Sequence, residues 1–221
     1  MPVIYSKDLD DTAEKEIIVS KEQGAFVETF LFVERIPKTV HLKVRLAGRA
    51  SKGEIIILYL GRNNDQTEIN ITLVHEAPET YGRVIIKAAL FDESRLTVRG
   101  MLEIKEEAKG ADSYLLAKVL LVSPKARAEV YPYLEIATDE VKASHGTSIG
   151  KIDERQLFYL QSRGIPEEEG ERLLLSEFFR DVAKKLSKKE RGNLFASLAT
   201  GMRHVENQGM DHADYKGTDK S

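Results

Sequence analysis

The sequence predicts a mainly β protein that ends in a small helical domain. Three observations carry this. Between Ile17 and Gly150 the chain is a succession of short runs rich in Val, Ile, Leu, Phe, Tyr and Thr, each bounded by turn-forming or charged residues. No helical pattern of about 10–15 residues separates these runs, so a sheet built from strand–helix–strand units is excluded. At Lys151 the text changes to helical spacing and stays so to about Met202.

The strand runs are "EIIVS", "AFVETFLFVE", "VHLKVRLAG", "GEIIILYLG", "EINITLVHE", "GRVIIKAALF", "RLTVRGMLEIK", "YLLAKVLLV" and "AEVYPYLEIA". "HLKVRLAG" and "RLTVRGMLEI" alternate cleanly, which gives each a single apolar face. "IIILYL" is continuous and reads as buried on both faces. Periodicity leaves a sandwich, a barrel or a β-helix open. No strict hexapeptide or nonapeptide repeat appears, so a β-helix would be irregular.

In the helical part, "DERQLFYLQSR" places Leu157 and Leu160, with Phe158 as a further candidate, on one side. Asp153 with Gln156 forms a capping-box pattern, and Gly164 suits the left-handed C-terminal position. Pro166 fits the first turn of the next helix, followed by Glu167, Glu168 and Glu169. Leu174, Leu175, Phe178, Phe179, Val182 and Leu186 make its apolar stripe. Ser187 with Glu190 opens a third helix carrying Leu194, Phe195, Leu198 and Met202. The expected organisation is a polar N-terminal arm (1–14), a β core (15–151), a helical domain (152–203) and a disordered tail (204–221). So apolar a helix trio must bury a face on its own β core or on another protein; the pattern does not choose.

Composition narrows the function classes. The 221 residues carry a formal charge of -3 with acidic and basic residues interspersed, so there is no nucleic-acid footprint. No apolar run approaches the roughly 18 residues of a membrane span. No basic-then-apolar leader pattern opens the chain, and the expected location is cytoplasmic. Cysteine is absent, which removes thiolate nucleophiles and all-thiolate cluster binding within one chain. No P-loop, nucleophile elbow or zinc-protease motif is present, so no ATP site and no enzymatic chemistry are expected. A polysaccharide-acting β-helix enzyme fits poorly, because aromatic residues are 7% with no tryptophan.

Five histidines remain as ligand candidates. His41 opens an alternating strand and reads as a surface residue, and His204 and His212 fall at the tail. His75 ends "EINITLVHE" and is a candidate second ligand. His145 shares strand parity with Val141 and Ala143. The residues alone favour a satisfied core histidine there, with a ligand or acid–base role as the alternative.

One long stretch carries a family resemblance. Pro132, the "LEI" of Leu134–Ile136, "DEVKASHGTSIGKID" from Asp139 to Asp153 and "QLFYLQSRGI" from Gln156 to Ile165 stand in fixed order. Together they resemble the SufB/SufD family of iron–sulfur cluster assembly proteins. His75–Ile104 is similar more faintly. The resemblance implies a right-handed parallel β-helix followed by a small three-helix domain. It implies that the helical domain docks a SufC-like ABC ATPase, and Phe158, Tyr159 and Arg163 are the candidate contact residues. It further implies pairing through the C-terminal end of the β-helix, as a homodimer or with a SufB-like chain. His145, the histidine of "SHG", would then contribute to binding iron or a nascent, transient iron–sulfur cluster at that interface.

The chain departs from the family in two ways. Gly146 follows the histidine where SufB-type members carry an acidic residue, so the motif is SufD-like. Ala143 stands where SufD-type members often have cysteine, which makes an adaptor that docks the ATPase without a metal role the alternative.

Overall fold

In the computed structural model, residues 3–5, 11–33 and 36–209 are described, with side chains for 11–33 and 36–199. The strands are β1 (Val3–Tyr5), β2 (Thr12–Val19), β3 (Ala25–Phe32), β4 (Thr39–Leu46), β5 (Lys52–Gly61), β6 (Gln66–His75), β7 (Tyr81–Leu90), β8 (Arg95–Ile104), β9 (Asp112–Leu121), β10 (Arg127–Ile136) and β11 (Lys142–Lys151). The helices are α1 (Glu154–Ser162), α2 (Glu167–Ala183) and α3 (Lys188–Gly209). β1 and the start of β2 fall where a polar arm was expected, and α3 runs on past residue 203. Residues 210–221 of the expected tail, with His212, lie outside the described residues.

Odd-numbered strands form one sheet in the order β1-β3-β5-β7-β9-β11, here sheet A. Even-numbered strands form sheet B, in the order β10-β8-β6-β4-β2. Every recorded pairing is parallel. The chain therefore crosses from one sheet to the other at each turn and winds into a parallel β-solenoid, the β-helix that the family resemblance implied among the architectures periodicity left open. Ala25, Lys52, Tyr81, Asp112 and Lys142 align as the first residues of successive sheet A strands, so one coil takes 27 to 31 residues on that sheet.

A backbone ladder fixes the turns from sheet B to sheet A. Gln23, Ala50, Glu79 and Gly110 each adopt a positive φ, between 52° and 75°. Each donates its N–H to a carbonyl of the next turn: Gln23 to Arg49 (2.8 Å), Ala50 to Pro78 (2.9 Å), Glu79 to Lys109 (2.8 Å) and Gly110 to Glu140 (2.6 Å). The turns stack by satisfying one another, as buried backbone must.

The two sheets differ in the way the sequence foretold. Ile55 to Leu60 of β5 are all fully buried: Ile55, Ile57 and Tyr59 face the solenoid interior, and Ile56, Leu58 and Leu60 face outward into a second core. That second core is where the helical domain docks. Leu175, Phe179, Val182 and Ala183 of α2, Leu186 in the turn after it, and Leu194 and Leu198 of α3 pack on Leu31, Leu58, Leu60, Ala89 and Phe91. The helices thus bury their stripe on their own β core. Lys87, buried on the outer face of β7, donates to the Phe178 carbonyl (2.6 Å) and pairs with Asp181. Arg62 bonds the Ser197 carbonyl, and Lys185 pairs with Glu54. Sheet B keeps a polar outer face, as the alternation of β4 and β8 required.

The helix boundaries follow their caps. Asp153 accepts the Arg155 N–H (2.9 Å), and Gly164 takes φ 84° at the end of α1. Ser187 and Glu190 form a reciprocal capping box, at 2.7 and 3.3 Å. Pro166 is the N-cap of α2 rather than a residue of its first turn.

Candidate functional site

Inward side chains of successive coils stack in columns. On the sheet B wall one column runs Lys15, Leu42, Ile71, Gly100, Pro132. On the sheet A wall another runs Glu28, Ile55, Val84, Leu115, His145. The two columns face each other. Lys15 reaches Glu28 across the interior, and Gly100 leaves room for Leu115, whose Cδ1 would stand 2.3 Å from a Cβ at position 100.

His145 therefore occupies a core column, as its parity with Val141 and Ala143 implied, yet it is exposed. The core reading is corrected for a simple reason: its coil is the last one. Leu115, one rung below, is 1% exposed because β11 covers it, and among the described residues no further strand covers β11. Val141 and Ala143 are half-buried against Ile104, Ala108 and Ala111.

The rest of that last rung is apolar and open. Leu134, Ile136 and Ile149, all at interior positions, are 38%, 43% and 44% exposed. Pro132 marks the end in the sequence itself. Proline is tolerated within a sheet only at an edge, and β10 is the edge of sheet B. On the outer side of β10, Tyr131 donates to Glu129 (3.0 Å), a bond that raises the phenol's pKa. At Gly146 a Cβ would meet the Tyr114 hydroxyl oxygen at 2.6 Å, so a side chain there would displace the end of that tyrosine.

Among the described residues, no three His, Cys, Asp or Glu side chains converge into a metal-binding group. His145 belongs to no such group among the described residues. Glu135 and Asp139 do not join it, because residues 137–141 form a turn between β10 and β11. His75 is fully buried and both ring nitrogens are occupied. Thr80 gives its hydroxyl proton to the Ala77 carbonyl and so accepts from Nδ1 (2.8 Å), while Nε2 accepts from Ser113 (2.9 Å). Burial, with the Arg83 charge adding to it, lowers its pKa to about 4. It is the satisfied core histidine of this chain. His41 lies exposed on sheet B, and the side chain of His204 on α3 lies outside the described ones.

A second exposed surface lies on α1. Leu157 and Leu160 turn inward toward Gly170 of α2. Phe158, one residue round the helix from Leu157, is not on that side and is 71% exposed; Tyr159 is 57% exposed. Arg163 stacks over the Tyr159 ring at 5.2 Å. Arg155, Gln156, Tyr159, Leu160 and Leu174 line a shallow apolar groove of about 370 Å³, with Leu173 exposed nearby. Phe158 and Tyr159 thus lie on one open helix with Arg163 at its C-cap, while His145 lies on the adjoining strand. Among the described residues, no helix is long and apolar enough to cross a membrane.

The model of the SUF system FeS cluster assembly SufBD core domain matches residues 19–178. A chloroplastic iron–sulfur cluster assembly SufBD family protein of Arabidopsis thaliana is 35% identical over 143 residues, which is 65% of this chain and 26% of that protein. One from Mycobacterium leprae is 35% identical over 156 residues, 67% of this chain and 40% of that protein. One from Mycobacterium bovis is 30% identical over 143 residues, 65% of this chain and 17% of that protein. The chain thus spans well under half the length of these relatives. With the family match covering both the solenoid and the start of the helical domain, the chain belongs to the SufBD family of iron–sulfur cluster assembly proteins.

Proposed function

We propose that this chain is an assembly component of a SUF-type system that pairs with a second SufBD-type chain through the C-terminal end of its solenoid. The carrying observation is the open rung of Leu134, Ile136 and Ile149 around His145. Interior side chains left in water are stabilised when a second apolar surface covers them. The two free sheet edges, β10 and β11, offer backbone groups to the same partner. Paired, His145 lies in a water-poor enclosure where a second chain supplies the missing ligands. Neutral imidazole suits iron, and the enclosed iron or nascent cluster is cargo.

The α1 surface is the docking site for a SufC-like ABC ATPase, with Phe158 and Tyr159 as apolar contacts and Arg163 beside them. Only Ile152 and Asp153 separate β11 from α1. Motion of a docked ATPase therefore pulls on the strand that carries His145. Lys87 and Phe179 hold α2 to sheet A, so the rest of the helical domain stays fixed while the β11–α1 junction takes the load.

Anaerobic loading with iron and sulfide, in the presence of a SufB-like chain and the ATPase, tests the metal role. Replacing His145 by Ala lowers the iron bound per complex; equal iron in both proteins refutes it. Separately, Phe158→Ala with Tyr159→Ala abolishes ATPase co-elution, and retained co-elution refutes the docking surface. The absence of cysteine from the chain, with no metal-binding group around His145 among the described residues, favours a second reading, an adaptor that docks the ATPase without a metal role. Equal iron in the loading experiment selects it.

A further inference from the structure

The outer face of sheet B changes character at its last strand. Side chains stack in columns there as they do inside. One column runs Glu14, His41, Asn70, Arg99, Tyr131, and its neighbour runs Glu16, Lys43, Thr72, Met101, Tyr133. The first three rungs of both columns are polar or charged, as a sheet face in water requires. The last rung of both is tyrosine, 40% and 46% exposed, on an edge strand where charges would deter contact. Tyr131 is held in place. Arg99 lies over its ring at 5.6 Å, and its hydroxyl donates to Glu129. Arg99 is fixed in turn by Glu68 at 2.7 Å, which also accepts from Asn70 at 3.0 Å. Met101 stands beside Tyr133 in register.

We propose that Tyr131 and Tyr133 dock a second copy of this chain, so that the joint at the C-terminal end wraps round β10 and covers both of its faces. The inference rests on the C-terminal pairing reading. Leu134 and Ile136 point to the interior and the two tyrosines point outward, so β10 carries one exposed apolar band around its free edge. A strand that ends a sheet against water has no use for such an outer face. A strand whose sheet continues into another chain does, because the outward side chains of the two strands then pack together. A two-fold joint brings the same surface of each copy together. Lysine or glutamate in these positions would meet its own charge across the axis. Tyrosine meets tyrosine without repulsion, and such aromatic pairs are favourable across strands. Holding Tyr131 between Arg99 and Glu129 reduces the side-chain freedom lost on contact. Tyrosine and arginine are also the residue types that carry most of the affinity at protein interfaces.

The test is sedimentation velocity of the full chain over a wide concentration range, for wild type, Tyr131→Thr/Tyr133→Thr and Leu134→Lys. Threonine keeps the strand preference and removes the rings. Wild type is expected to dimerise, and the double variant to raise the dissociation constant about tenfold or more while its urea midpoint stays that of wild type. Dimerisation as strong in the double variant as in wild type overturns the proposal. The pairing reading then stands if Leu134→Lys weakens the dimer, and falls as well if it does not. Loss of the dimer in the double variant but not in Leu134→Lys supports the tyrosine face and counts against the open rung. A wild-type chain that stays monomeric at every concentration also overturns the proposal, even where it pairs with a SufB-like chain. If the double variant does not fold, Tyr133→Thr alone carries the same test with the same outcomes.

Discussion

The first and last rungs of the facing columns differ. In the first, flanked in sheet A by β1, Lys15 pairs with a buried Glu28; at the C-terminal end the columns stop at Pro132 and His145 among exposed Leu134, Ile136 and Ile149. The first rung holds a neutralised charge pair. The last leaves core-type residues in water, an arrangement that favours a covering partner. Position along the column, more than residue type, decides what a side chain does. Leu115 is core, while His145 in the same column is surface.

The largest effect sharpens the N-terminal side of this comparison. Lys15→Ala leaves the Glu28 carboxylate buried and unpaired, and is expected to cost about 3–5 kcal/mol. Glu28→Ala costs less, because the partly exposed Lys15 can turn its ammonium to water. Urea unfolding of both variants measures the asymmetry. Equal losses would mean the carboxylate, too, finds solvent.

Next comes the contrast between successive rungs. Leu115→Ala is expected to cost about 2–5 kcal/mol through lost burial and a cavity. Leu134→Ala costs the isolated chain about 1 kcal/mol or less, since the side chain is already 38% exposed. When the partner is present, Leu134→Ala weakens association as well. If Leu134→Ala destabilises the isolated chain as much as Leu115→Ala, the open rung is not open in solution.

His75 and His145 set the third contrast, one histidine inside a rung and one at its end. The folded-state pKa of His75, about 4, lies below the ordinary value of 6.5, chiefly because of burial. Between these values the unfolded chain binds a proton that the folded chain refuses. Stability is full above about pH 6.5 and falls as the pH drops toward 4, by roughly 3 kcal/mol in all. Denaturation midpoints at pH 7 and 4.5 measure the loss, and His75→Gln removes most of the slope. A slope that survives this change belongs to other groups.

Much of the fold was legible in the sequence. The continuous run Ile55–Leu60 announced a strand covered on both faces, and the alternation of "HLKVRLAG" announced one that is not; the solenoid interior, the docked helices and the bare face of sheet B are their causes. The coil repeat was not legible. The position that recurs at each turn is a left-handed backbone donating to the next turn, and Gln23, Ala50, Glu79 and Gly110 fill it equally. Lys15 was hidden for a related reason. "TAEKEIIV" is polar enough to read as the end of an arm, and only the register with Leu42 shows that the lysine points inward. For His145 the parity was legible and the exposure was not. The sequence marks the last coil only by a proline in a strand, Pro132, whose meaning depends on knowing that β10 is an edge.

The smallest expected effect on stability is the most informative about function. His145→Ala removes an exposed side chain, so the isolated chain should unfold within about 0.5 kcal/mol of wild type. Burial by a partner changes what the residue can do. Placed against an apolar rung, an imidazole that coordinates nothing leaves its polar nitrogens without water, and its removal would strengthen pairing or leave it unchanged. An imidazole that binds iron shared between two chains does the opposite, and its removal weakens pairing only when iron is present. Titrating the partner chain with and without ferrous iron, for wild type and His145→Ala, distinguishes the two. Iron-dependent weakening in the variant supports a shared metal site at the open end. Identical pairing of both proteins under both conditions leaves the C-terminal end as a purely apolar joint.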